Sequence, residues 1–498
     1  MSASTDGLRE RLGDHAARFI DANGVHGDAA ITARIDRVAR WLDSRGLQRV
    51  ASRIDNGTDW FVLDLALQQV GGVHVPLPTF FSNGQVLHAI SSSGAQCVVT
   101  GRGGGIPAGT EALAGFLESG TLECWRTAPQ DMPVLPTGTS CITFTSGTTG
   151  TAKGVCLGTP ALLQVAGSLV EASSSIAPRR HLCLMPLATL LENVAGLYAT
   201  LLADAQIALP SLAEVGYSGA SGLDVPTLLR CLHRYQPESV ILVPQLLLAL
   251  VMAAEHGHAL PRSLRYIAVG GGRVAPALLA RARALGLPVF EGYGLTECAS
   301  VVCLNRPDRQ RDGSVGQALP HARVSVDDGE LLVEGGATLL GYLDEGARAA
   351  GPVRTGDLGH VDADGFVHVT GRRRNMFITA FGRNVSPEWV ESEVTAHPLL
   401  GQAVVWGEGQ ADNVAVVVPR READDAGVAR ALAEVNAGLP DYARVARFVR
   451  AAAPFSAADG LMTANGRPRR AEILARYQAQ IDACYRLPPS VPHAGIVP

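Results

Sequence analysis

The sequence predicts an α/β protein with a smaller α+β unit towards its C-terminal end. Up to about residue 300, short apolar runs alternate with helical patterns, which is typical of parallel sheets covered by helices. From about 301 to 370 the runs are shorter and are separated by turn residues, which indicates a β-rich subdomain. The length of 498 residues is enough for about three domain-sized units.

The elements of the first 300 residues are predicted from the spacing of apolar side chains. Ile31, Ile35 and Val38 fall at helical intervals, which predicts a helix from about 30 to 50. The stretch 240–254 is very apolar, but Pro244 interrupts it and it is too short for a membrane span. It therefore predicts a buried strand followed by a helix. The further predicted strands are 96–100, 239–243, 265–269 and 287–290, and the further predicted helices are 245–255 and 276–285.

The β-rich subdomain is predicted from three short strands and two turns. The strands are 323–326, 330–334 and 366–369, and the turns are Asp-Asp-Gly at 327–329 and Asp-Gly at 364–365. The run of three arginines at 372–374 follows. We predict an N-terminal domain of residues 1–373, a C-terminal domain of residues 374–480 and a tail of residues 481–498, of which the proline-rich part after Leu487 is expected to be disordered.

The composition excludes several classes of protein. A net charge of −5 and a pI near 6.2 give no basic surface for nucleic acid. Nine scattered cysteines without a Cys-x-x-Cys pair indicate free thiols in a reducing compartment, and the N-terminus has no secretory pattern, so a cytoplasmic protein without a transmembrane segment is predicted. A Gly-x-Ser-x-Gly elbow and a Gly-x-Gly-x-x-Gly after the first strand are both missing, which argues against a hydrolase and an NAD enzyme.

The chain has a single lysine, Lys153, whereas the other 41 of its 42 basic residues are arginines. Lys153 lies in the segment TSGTTGTAKG at residues 145–154, directly after a predicted strand. Glycines allow backbone N–H groups to approach phosphate closely, and lysine is a compact cation that suits a crowded anionic group. The segment therefore predicts a phosphate-binding loop, although it is not a Walker A loop. The alternative is a polar Gly/Thr surface loop.

Further segments follow in a fixed order. They are EGYGLTE at 291–297, RTGD at 354–357, GR at 371–372, GRNVSPE at 382–388 and TANGRPRR at 463–470. With the loop around Lys153, they resemble the motifs of the adenylate-forming superfamily, which includes acyl-CoA synthetases, adenylation domains of peptide synthetases and luciferases. The resemblance covers about residues 30–477. It implies a large N-terminal lobe of two α/β subdomains and a small β-barrel-like subdomain, followed by a small, mobile α+β C-terminal domain.

The resemblance also implies a reaction and a set of site residues. A carboxylate would attack the α-phosphate of ATP to give an acyl-adenylate and pyrophosphate, and a thiol would then displace AMP. Both groups in the first step are anionic, so cations must neutralise them. The resemblance assigns the catalytic roles to Lys153, Thr296, Glu297, Arg372 and Arg467, with Glu297 as the Mg²⁺ ligand and Arg374 as the hinge. It assigns nucleotide binding to Thr145, Ser146, Gly147, Thr148, Thr149, Gly150, Gly271, Gly272, Tyr293 and Asp357, with Tyr293 on adenine and Asp357 on the ribose hydroxyls.

Each of these residues also has an ordinary structural explanation. Glu297 could be a carboxylate at a helix start, Asp357 a turn former and the arginines 372–374 a solvated charge run. Three positions depart from the family pattern: Ala152 replaces a common proline, Thr189 stands where a histidine is frequent, and Arg467 replaces a lysine. Arginine keeps the charge but changes its shape and reach, so either Arg467 takes over the role of the lysine or adenylation is impaired.

The substrate is predicted from the segment at 182–192. This segment has no aspartate that could bind an amino group, and its apolar character favours a fatty or other hydrophobic carboxylic acid. Relatives among fatty acid ligases often carry a carboxylate near Glu192. Coenzyme A is the expected acceptor, and the phosphopantetheine of an acyl carrier protein is the alternative. A non-catalytic relative that binds ATP or an acyl-adenylate is a further alternative because of Arg467. The acid, the oligomeric state and the pathway are not determined by the sequence.

Overall fold

The computed structural model describes residues 8–103, 110–113, 116, 122–128, 132–145, 152–218, 222–420, 423–463 and 466–491. Within these residues, no helix has both the length and the apolar character needed to span a membrane.

The first part of the chain alternates strands and helices, as its apolar spacing predicts. Its elements are β1 (Phe19–Asp21), β2 (Gly24–His26), α1 (Asp28–Asp43), β3 (Arg49–Arg53), α2 (Thr58–Gln69), β4 (Val73–Pro76), α3 (Asn83–Ser93), β5 (Cys97–Gly101), β6 (Glu111–Leu113), β7 (Leu122–Arg126), β8 (Cys141–Thr145) and β9 (Lys153–Leu157). The predicted helix from 30 to 50 is too long. It ends at Asp43 because Gly46 adopts φ +61°, after which the chain starts strand β3.

The second part of the chain continues the alternation and contains a six-residue π-helix. Its elements are α4 (Thr159–Ala172), β10 (Arg180–Leu182), α5 (Leu190–Glu192), the π-helix (Asn193–Tyr198), α6 (Ala199–Leu202), β11 (Gln206–Leu209), α7 (Leu212–Val215), β12 (Tyr217–Ser218), β13 (Gly222–Leu223), α8 (Val225–Tyr235), β14 (Ser239–Leu242), α9 (Pro244–Glu255), β15 (Tyr266–Val269), α10 (Pro276–Ala284), β16 (Val289–Leu295), a 3₁₀ turn (Thr296–Cys298) and β17 (Ser300–Leu304). The apolar stretch 240–254 is strand β14 and helix α9, as predicted.

The third part of the chain holds the β-rich subdomain and the C-terminal domain. Its elements are β18 (Gln317–Ala318), β19 (Ala322–Asp327), β20 (Glu330–Gly335), β21 (Gly341–Tyr342), β22 (Gly346–Ala347), β23 (Val353–Val361), β24 (Val367–Arg372), β25 (Phe377–Ile378), β26 (Asn384–Val385), α11 (Pro387–Ala396), β27 (Leu400–Trp406), β28 (Asn413–Pro419), α12 (Asp425–Asn436), β29 (Val445–Arg450) and α13 (Arg470–Tyr485). The predicted turn between β19 and β20 is present, with positive φ at Asp328 and Gly329.

Two large sheets form the α/β part of the molecule. One has the strand order β18-β17-β16-β15-β14-β10-β11-β1-β2, and the other β22-β21-β9-β8-β4-β3-β5-β7-β6. Their central strands are parallel, including β10, β14, β15 and β16 in the first sheet and β8, β4, β3 and β5 in the second. Helices between the strands cover the sheets, which explains why most residues of these strands are buried.

Four smaller sheets complete the described part of the molecule, and two of them, β12-β13 and β25-β26, have only two strands. Strands β19-β20-β23-β24 form the antiparallel sheet of the β-rich subdomain, and β27-β28-β29 form the sheet of the C-terminal domain. Helix α11 of the C-terminal domain lies beside α10 of the large lobe, where Arg281 donates a hydrogen bond to the carbonyl oxygen of Ala396 at 2.9 Å. The two domains therefore contact each other, and we use the word cleft for the region between them around Gly271, Glu297 and Arg467.

Candidate active site

The 3₁₀ turn that carries Thr296 and Glu297 follows β16 at the edge of this cleft. Its backbone is tight, because a Cβ atom at Gly294 would lie 1.9 Å from the carbonyl oxygen of Ser300. Ala299 and Ser300 adopt φ values of 55° and 116°, which side-chain-bearing residues rarely take up. Such strained backbone is common at functional sites. Here it holds the turn, and with it the Glu297 carboxylate, in one position.

Asp357 lies at the centre of a buried polar group. It is 5 % exposed, and its cross-strand partner on β24 is Arg372. Arg372 Nε lies 2.8 Å from Asp357 Oδ1, and the Tyr293 hydroxyl donates to Asp357 Oδ2 at 2.7 Å. Burial raises the pKa of Asp357, while the Arg372 charge and the Tyr293 hydrogen bond oppose this shift. The structure thus brings the predicted catalytic residue Arg372 together with the predicted nucleotide-binding residues Tyr293 and Asp357.

Arg467 reaches the cleft from the C-terminal domain. Its Nη2 atom donates to the carbonyl oxygen of Gly271 at 2.9 Å. Although the side chain keeps contact with solvent, desolvation in the cleft lowers its pKa, and the nearby Arg372 charge adds to this shift. Asp357 and Glu297 act in the opposite direction, so they also lie close to Arg467. The predicted cation of the C-terminal loop therefore lies within electrostatic range of two predicted anionic side chains of the large lobe, Asp357 and Glu297.

Gly271 and Gly272 follow strand β15 at the point that Arg467 contacts. Gly271 has φ +77°, which favours glycine. A Cβ atom at Gly271 would lie 3.4 Å from Val243 Cγ1 and 3.5 Å from Leu191 Cδ2. The backbone here is thus close to two apolar side chains on one side and to a guanidinium on the other.

Lys153 is the first residue of β9 and the cross-strand partner of Thr145. Its Nζ atom lies 2.9 Å from Glu345 Oε1 and 5.1 Å from the centre of the Tyr342 ring. The Tyr342 hydroxyl in turn donates to Glu297 Oε1 at 3.1 Å. Lys153 and Glu297, which are far apart in sequence, are therefore connected through Tyr342.

The predicted phosphate loop itself lies outside the described residues. This concerns Ser146, Gly147, Thr148, Thr149 and Gly150. Its two flanks, Thr145 and Lys153, are described, and the Thr145 hydroxyl donates to the carbonyl oxygen of Lys153 at 3.4 Å.

Arg374 lies in the turn that joins β24 to the C-terminal domain. The backbone N–H groups of Asn375 and Met376 both donate to the carbonyl oxygen of Arg372, which forms the turn. Desolvation, together with the Arg372 charge, lowers the pKa of Arg374. Arg374 is thus the middle of a short connection between the two domains, as a hinge requires.

Sequence reasoning missed two residues at the site. Tyr342 and Glu345 lie on or beside the hairpin of β21 and β22, which extends the second large sheet next to β9. The only sequence signal was the Gly-Tyr pair at 341–342. Nothing in its spacing indicated that it pairs with β9 and so reaches both Lys153 and Glu297.

The Glu297 carboxylate is a suitable ligand for Mg²⁺. Glu297 presents a carboxylate at the cleft that accepts a hydrogen bond at Oε1 and lies within electrostatic range of Arg467. Mg²⁺ is commonly held by one or two carboxylates together with substrate phosphates and water. The single carboxylate fits this mode of binding.

Another group of potential metal ligands lies in the core. Among the described residues, only His181, Cys183 and Glu192 form such a group, and all three are buried. Glu192 Oε1 lies 3.0 Å from His181 Nε2, and a Cβ atom at Gly196 would lie 2.0 Å from the same oxygen. Because the ligand atoms are already paired and the backbone is in close contact, we interpret this group as a structural hydrogen-bonded pair. It also explains Glu192 without any role as an ammonium partner.

Comparison with known proteins identifies relatives over nearly the whole chain. Residues 29–343 match the family described as AMP-binding enzyme, and residues 375–487 match the AMP-binding enzyme C-terminal domain. A long-chain-fatty-acid–CoA ligase, FadD15 of Mycobacterium bovis, is 28% identical over 477 residues, which cover 79% of this chain and 77% of the relative.

Solved structures share the fold. The anthranilate CoA ligase AuaEII in complex with anthranoyl-AMP superimposes with a TM-score of 0.78 at 18% identity, covering 96% of this chain and 97% of the other. The o-succinylbenzoate coenzyme A synthetase MenE of Bacillus subtilis, in complex with ATP and magnesium ion, gives a TM-score of 0.71 at 22% identity, covering 93% and 98%.

Proposed function

The chain belongs to the AMP-binding enzyme family and is an acid–thiol ligase of the acyl-CoA synthetase type, and from this premise we propose that its substrate is a hydrophobic, fatty carboxylic acid. The acid is activated with ATP to an acyl-adenylate and is then transferred to the thiol of coenzyme A.

One observation carries the proposal for the first step. A guanidinium from the C-terminal domain, Arg467, lies against Gly271 of the large lobe and close to Glu297 and Asp357. A carboxylate that attacks a phosphate needs a cation between the two anions, and a fixed cation costs no reorganisation during the reaction. We assign this role to Arg467.

The other residues of the cleft support the same assignment. Lys153 would neutralise the β- and γ-phosphates together with Thr145 and the loop at 146–150, and Thr296 would contact the α-phosphate. Asp357 would accept hydrogen bonds from the ribose hydroxyls, held in place by Arg372, and Tyr293 would face the adenine. Phosphoryl transfer depends mainly on positioning and charge neutralisation, which this set of side chains can supply.

Mg²⁺ would be held by Glu297 and would neutralise the triphosphate charge when bound. The protein's part is to fix the orientation of that carboxylate. The strained backbone at Ala299 and Ser300 and the hydrogen bond from Tyr342 both do so.

The apolar surroundings of Gly271 support a hydrophobic acid. Leu191 and Val243 flank this backbone, and Leu187, Ala188 and Leu190 of the neighbouring segment are buried. FadD15 is named for long-chain fatty acids, whereas AuaEII carries an aromatic acyl group in its structure. We therefore propose a straight-chain acid as the substrate, and an aromatic acid is the alternative substrate that the experiment has to exclude.

A panel of carboxylic acids tests this proposal. Straight-chain acids of increasing length, benzoates and small dicarboxylates are assayed for AMP release with ATP, Mg²⁺ and coenzyme A, and separately with a phosphopantetheinylated acyl carrier protein. We expect the highest kcat/KM for a straight-chain acid with coenzyme A. A preference for benzoates would overturn the fatty substrate, and release only with carrier protein would overturn the acceptor.

Arg467 also supports a second candidate function, a non-catalytic relative that binds ATP or an acyl-adenylate. Arginine has a planar, longer head group than the lysine of the family pattern. Acid-dependent exchange of pyrophosphate into ATP separates the two functions, because a binding protein shows no exchange with any acid of the panel.

The role of Arg467 is tested by separating the half-reactions. We expect Arg467→Ala to slow adenylation far more than the transfer of a supplied acyl-adenylate to coenzyme A, because the cation is needed only while the carboxylate meets the phosphate. Arg467→Lys, which keeps the charge, is the control and should retain adenylation. An equal loss in both half-reactions of Arg467→Ala would contradict the assignment.

A further inference from the structure

The loop of residues 185–189 lies between β10 and α5 and leads directly into α5, whose residue Leu191 flanks Gly271. The first turn after it carries Leu191, whose Cδ2 lies 3.5 Å from the position of a Cβ at Gly271. Met185 and Thr189 are half-buried, whereas Leu187 and Ala188 are buried. If the proposed function is correct, the conformation of this loop determines the shape of the acid pocket.

Three polar side chains hold the backbone of the loop, and we name Asn56, Glu192 and Asn193 the loop clamp. The Met185 N–H donates to Glu192 Oε2 at 2.7 Å, and the Leu187 N–H donates to Asn56 Oδ1 at 2.8 Å. Asn56 Nδ2 donates to the Met185 carbonyl oxygen at 2.9 Å, and Asn193 Nδ2 donates to the Leu187 carbonyl oxygen at 3.0 Å. Two alternate residues of the loop thus have both backbone groups bonded to side chains.

Two further buried side chains, His181 and Ser239, keep the Glu192 carboxylate in its position. Its Oε1 atom lies 3.0 Å from His181 Nε2, and His181 Nδ1 lies 3.0 Å from the Ser239 hydroxyl. All three side chains are buried, and Gly196 of the π-helix leaves room for the carboxylate. A buried, fully bonded network of this kind is rigid, because breaking any one bond leaves a polar group unpaired.

Asn56 differs from the other two members of the clamp because it comes from another part of the fold. It follows β3 of the second large sheet, whereas the loop belongs to the first, and it is separated from Met185 and Leu187 by 129 and 131 residues. Its side-chain amide uses its donor and its acceptor on the same loop, which fixes the orientation of the amide as well. Asn56 therefore ties the loop to the opposite subdomain.

We propose that Asn56 is a positioning residue for the carboxylic acid, which keeps the loop of residues 185–189 in its acid-binding conformation before the acid arrives. The inference rests on the proposed function. Without Asn56, the loop would have to be ordered at the moment of binding, and this cost would appear in the binding of the acid. Binding of ATP at Lys153 and Asp357 does not involve the loop and should be unaffected.

The test compares Asn56→Ala with the wild-type enzyme in the pyrophosphate exchange assay, using the straight-chain acid that gives the highest rate. We expect KM for the acid to rise about tenfold, as for the loss of one to two hydrogen bonds, and KM for ATP to change less than about twofold. An unchanged KM for the acid in a folded variant would overturn the proposal.

A matched control separates positioning from loss of stability. Asn436 is a buried asparagine of the C-terminal domain, whose amide both donates to and accepts from the backbone of Val445, at 2.8 and 2.9 Å. Asn436→Ala should lower Tm without raising KM for the acid. If both alanine variants raise the two KM values alike, Asn56 has only a structural role.

Asn56→Asp gives a second readout, and it serves if the alanine variant does not fold. An ionised aspartate accepts from Leu187 but places a charge against the Met185 carbonyl oxygen, whereas a protonated one can donate to that oxygen. The ratio of KM for the acid in Asn56→Asp to that in wild type should therefore fall as the pH is lowered, and a pH-independent ratio overturns the proposal. Failure of the proposed function is recognised separately, since wild type would then show no exchange with any acid.

Discussion

Lys153 forms an ion pair with Glu345 and lies over the Tyr342 ring. Its ion pair with Glu345 is exposed on both sides, with 52% of the lysine side chain and 58% of the glutamate side chain accessible. Exposed pairs of this kind contribute about 0–1 kcal/mol, so the pair can be exchanged for a stronger anion at little cost. A triphosphate carries several negative charges and would compete effectively for the ammonium group.

We therefore expect Lys153→Ala to slow adenylation by about 2–4 kcal/mol of transition-state stabilisation, the usual scale for one electrostatic donor. The measurement is kcat/KM for ATP in pyrophosphate exchange. Lys153→Arg is the control for charge alone, and we expect it to recover part of the activity because the guanidinium is larger than the ammonium. Wild-type kinetics in Lys153→Ala would refute the phosphate role.

Substitution of Glu345 should have the opposite effect and strengthen the binding of ATP. Removing its charge with Glu345→Gln frees Lys153 for the nucleotide, so KM for ATP should fall by about two- to fivefold, which corresponds to the free energy of an exposed pair. Asp344→Asn is the matched control, because it removes the same charge one residue away while the partner of Lys153 remains. A decrease of similar size in both variants would indicate a general electrostatic effect and not release of Lys153.

At the scale of elements, the strands and helices of the large lobe follow from local patterns. Strand β14 and helix α9 are predicted from one apolar stretch that Pro244 interrupts, and the β19–β20 hairpin from Asp-Asp-Gly. Both signals are local, because Pro244 can only start the helix and Gly329 accepts positive φ. The helix predicted at 30–50 is too long because the apolar spacing alone does not indicate where a helix ends. In the structure it ends at Asp43, shortly before Gly46.

The contacts between elements could not be predicted in the same way. The sequence singled out Lys153 and Glu297 separately, but it contained nothing that placed Tyr342 between them. Likewise, Asn56 contacts a loop about 130 residues away, and its local environment is an ordinary turn before helix α2. Side chains that bridge two sheets depend on how the sheets are joined, and this information is not present in any window of the sequence.

The connection between the domains gives a prediction at this scale. Arg374 lies in the turn after β24, and a hinge requires its φ and ψ to change between two arrangements. Arg374→Pro fixes φ near −65° and should uncouple the half-reactions, so that adenylation and transfer no longer proceed at matching rates. Arg374→Ala removes the charge but leaves the backbone free and is the control. Normal turnover of Arg374→Pro in both steps would rule out the hinge.

At the scale of the whole molecule, the two domains are held in one arrangement by charged contacts. Arg467 contacts Gly271, Arg281 contacts Ala396, and Arg273 lies close to Glu291 of the large lobe and to Glu388 and Glu393 of helix α11. This arrangement places Arg467 at the cleft, in agreement with the role that we propose for it in the first half-reaction. We expect the second half-reaction to need another arrangement, in which Arg467 leaves Gly271.

Glu291 connects this interface to the stability of the protein. Burial raises its pKa from the ordinary value of 4.5 to about 7, and the charge of Arg273 only partly offsets this. Between these two pH values the unfolded chain is ionised at this position while the folded protein keeps its proton. Unfolding therefore releases a proton, and the contribution of Glu291 makes the protein less stable as the pH rises from about 4.5 to about 7.

The prediction is a change in the pH dependence of Tm for Glu291→Gln. His321 contributes with the opposite sign, because burial lowers its pKa from 6.5 to about 4 and its contribution to stability therefore rises with pH over that range. The two effects overlap in wild type, so the quantity to measure is the difference in Tm between Glu291→Gln and wild type. Because glutamine cannot ionise, this difference should increase in favour of the variant from pH 4.5 to 7 and stay constant above pH 7. A difference that is the same at pH 5 and pH 8 would mean that Glu291 is already ionised in the folded protein throughout this range.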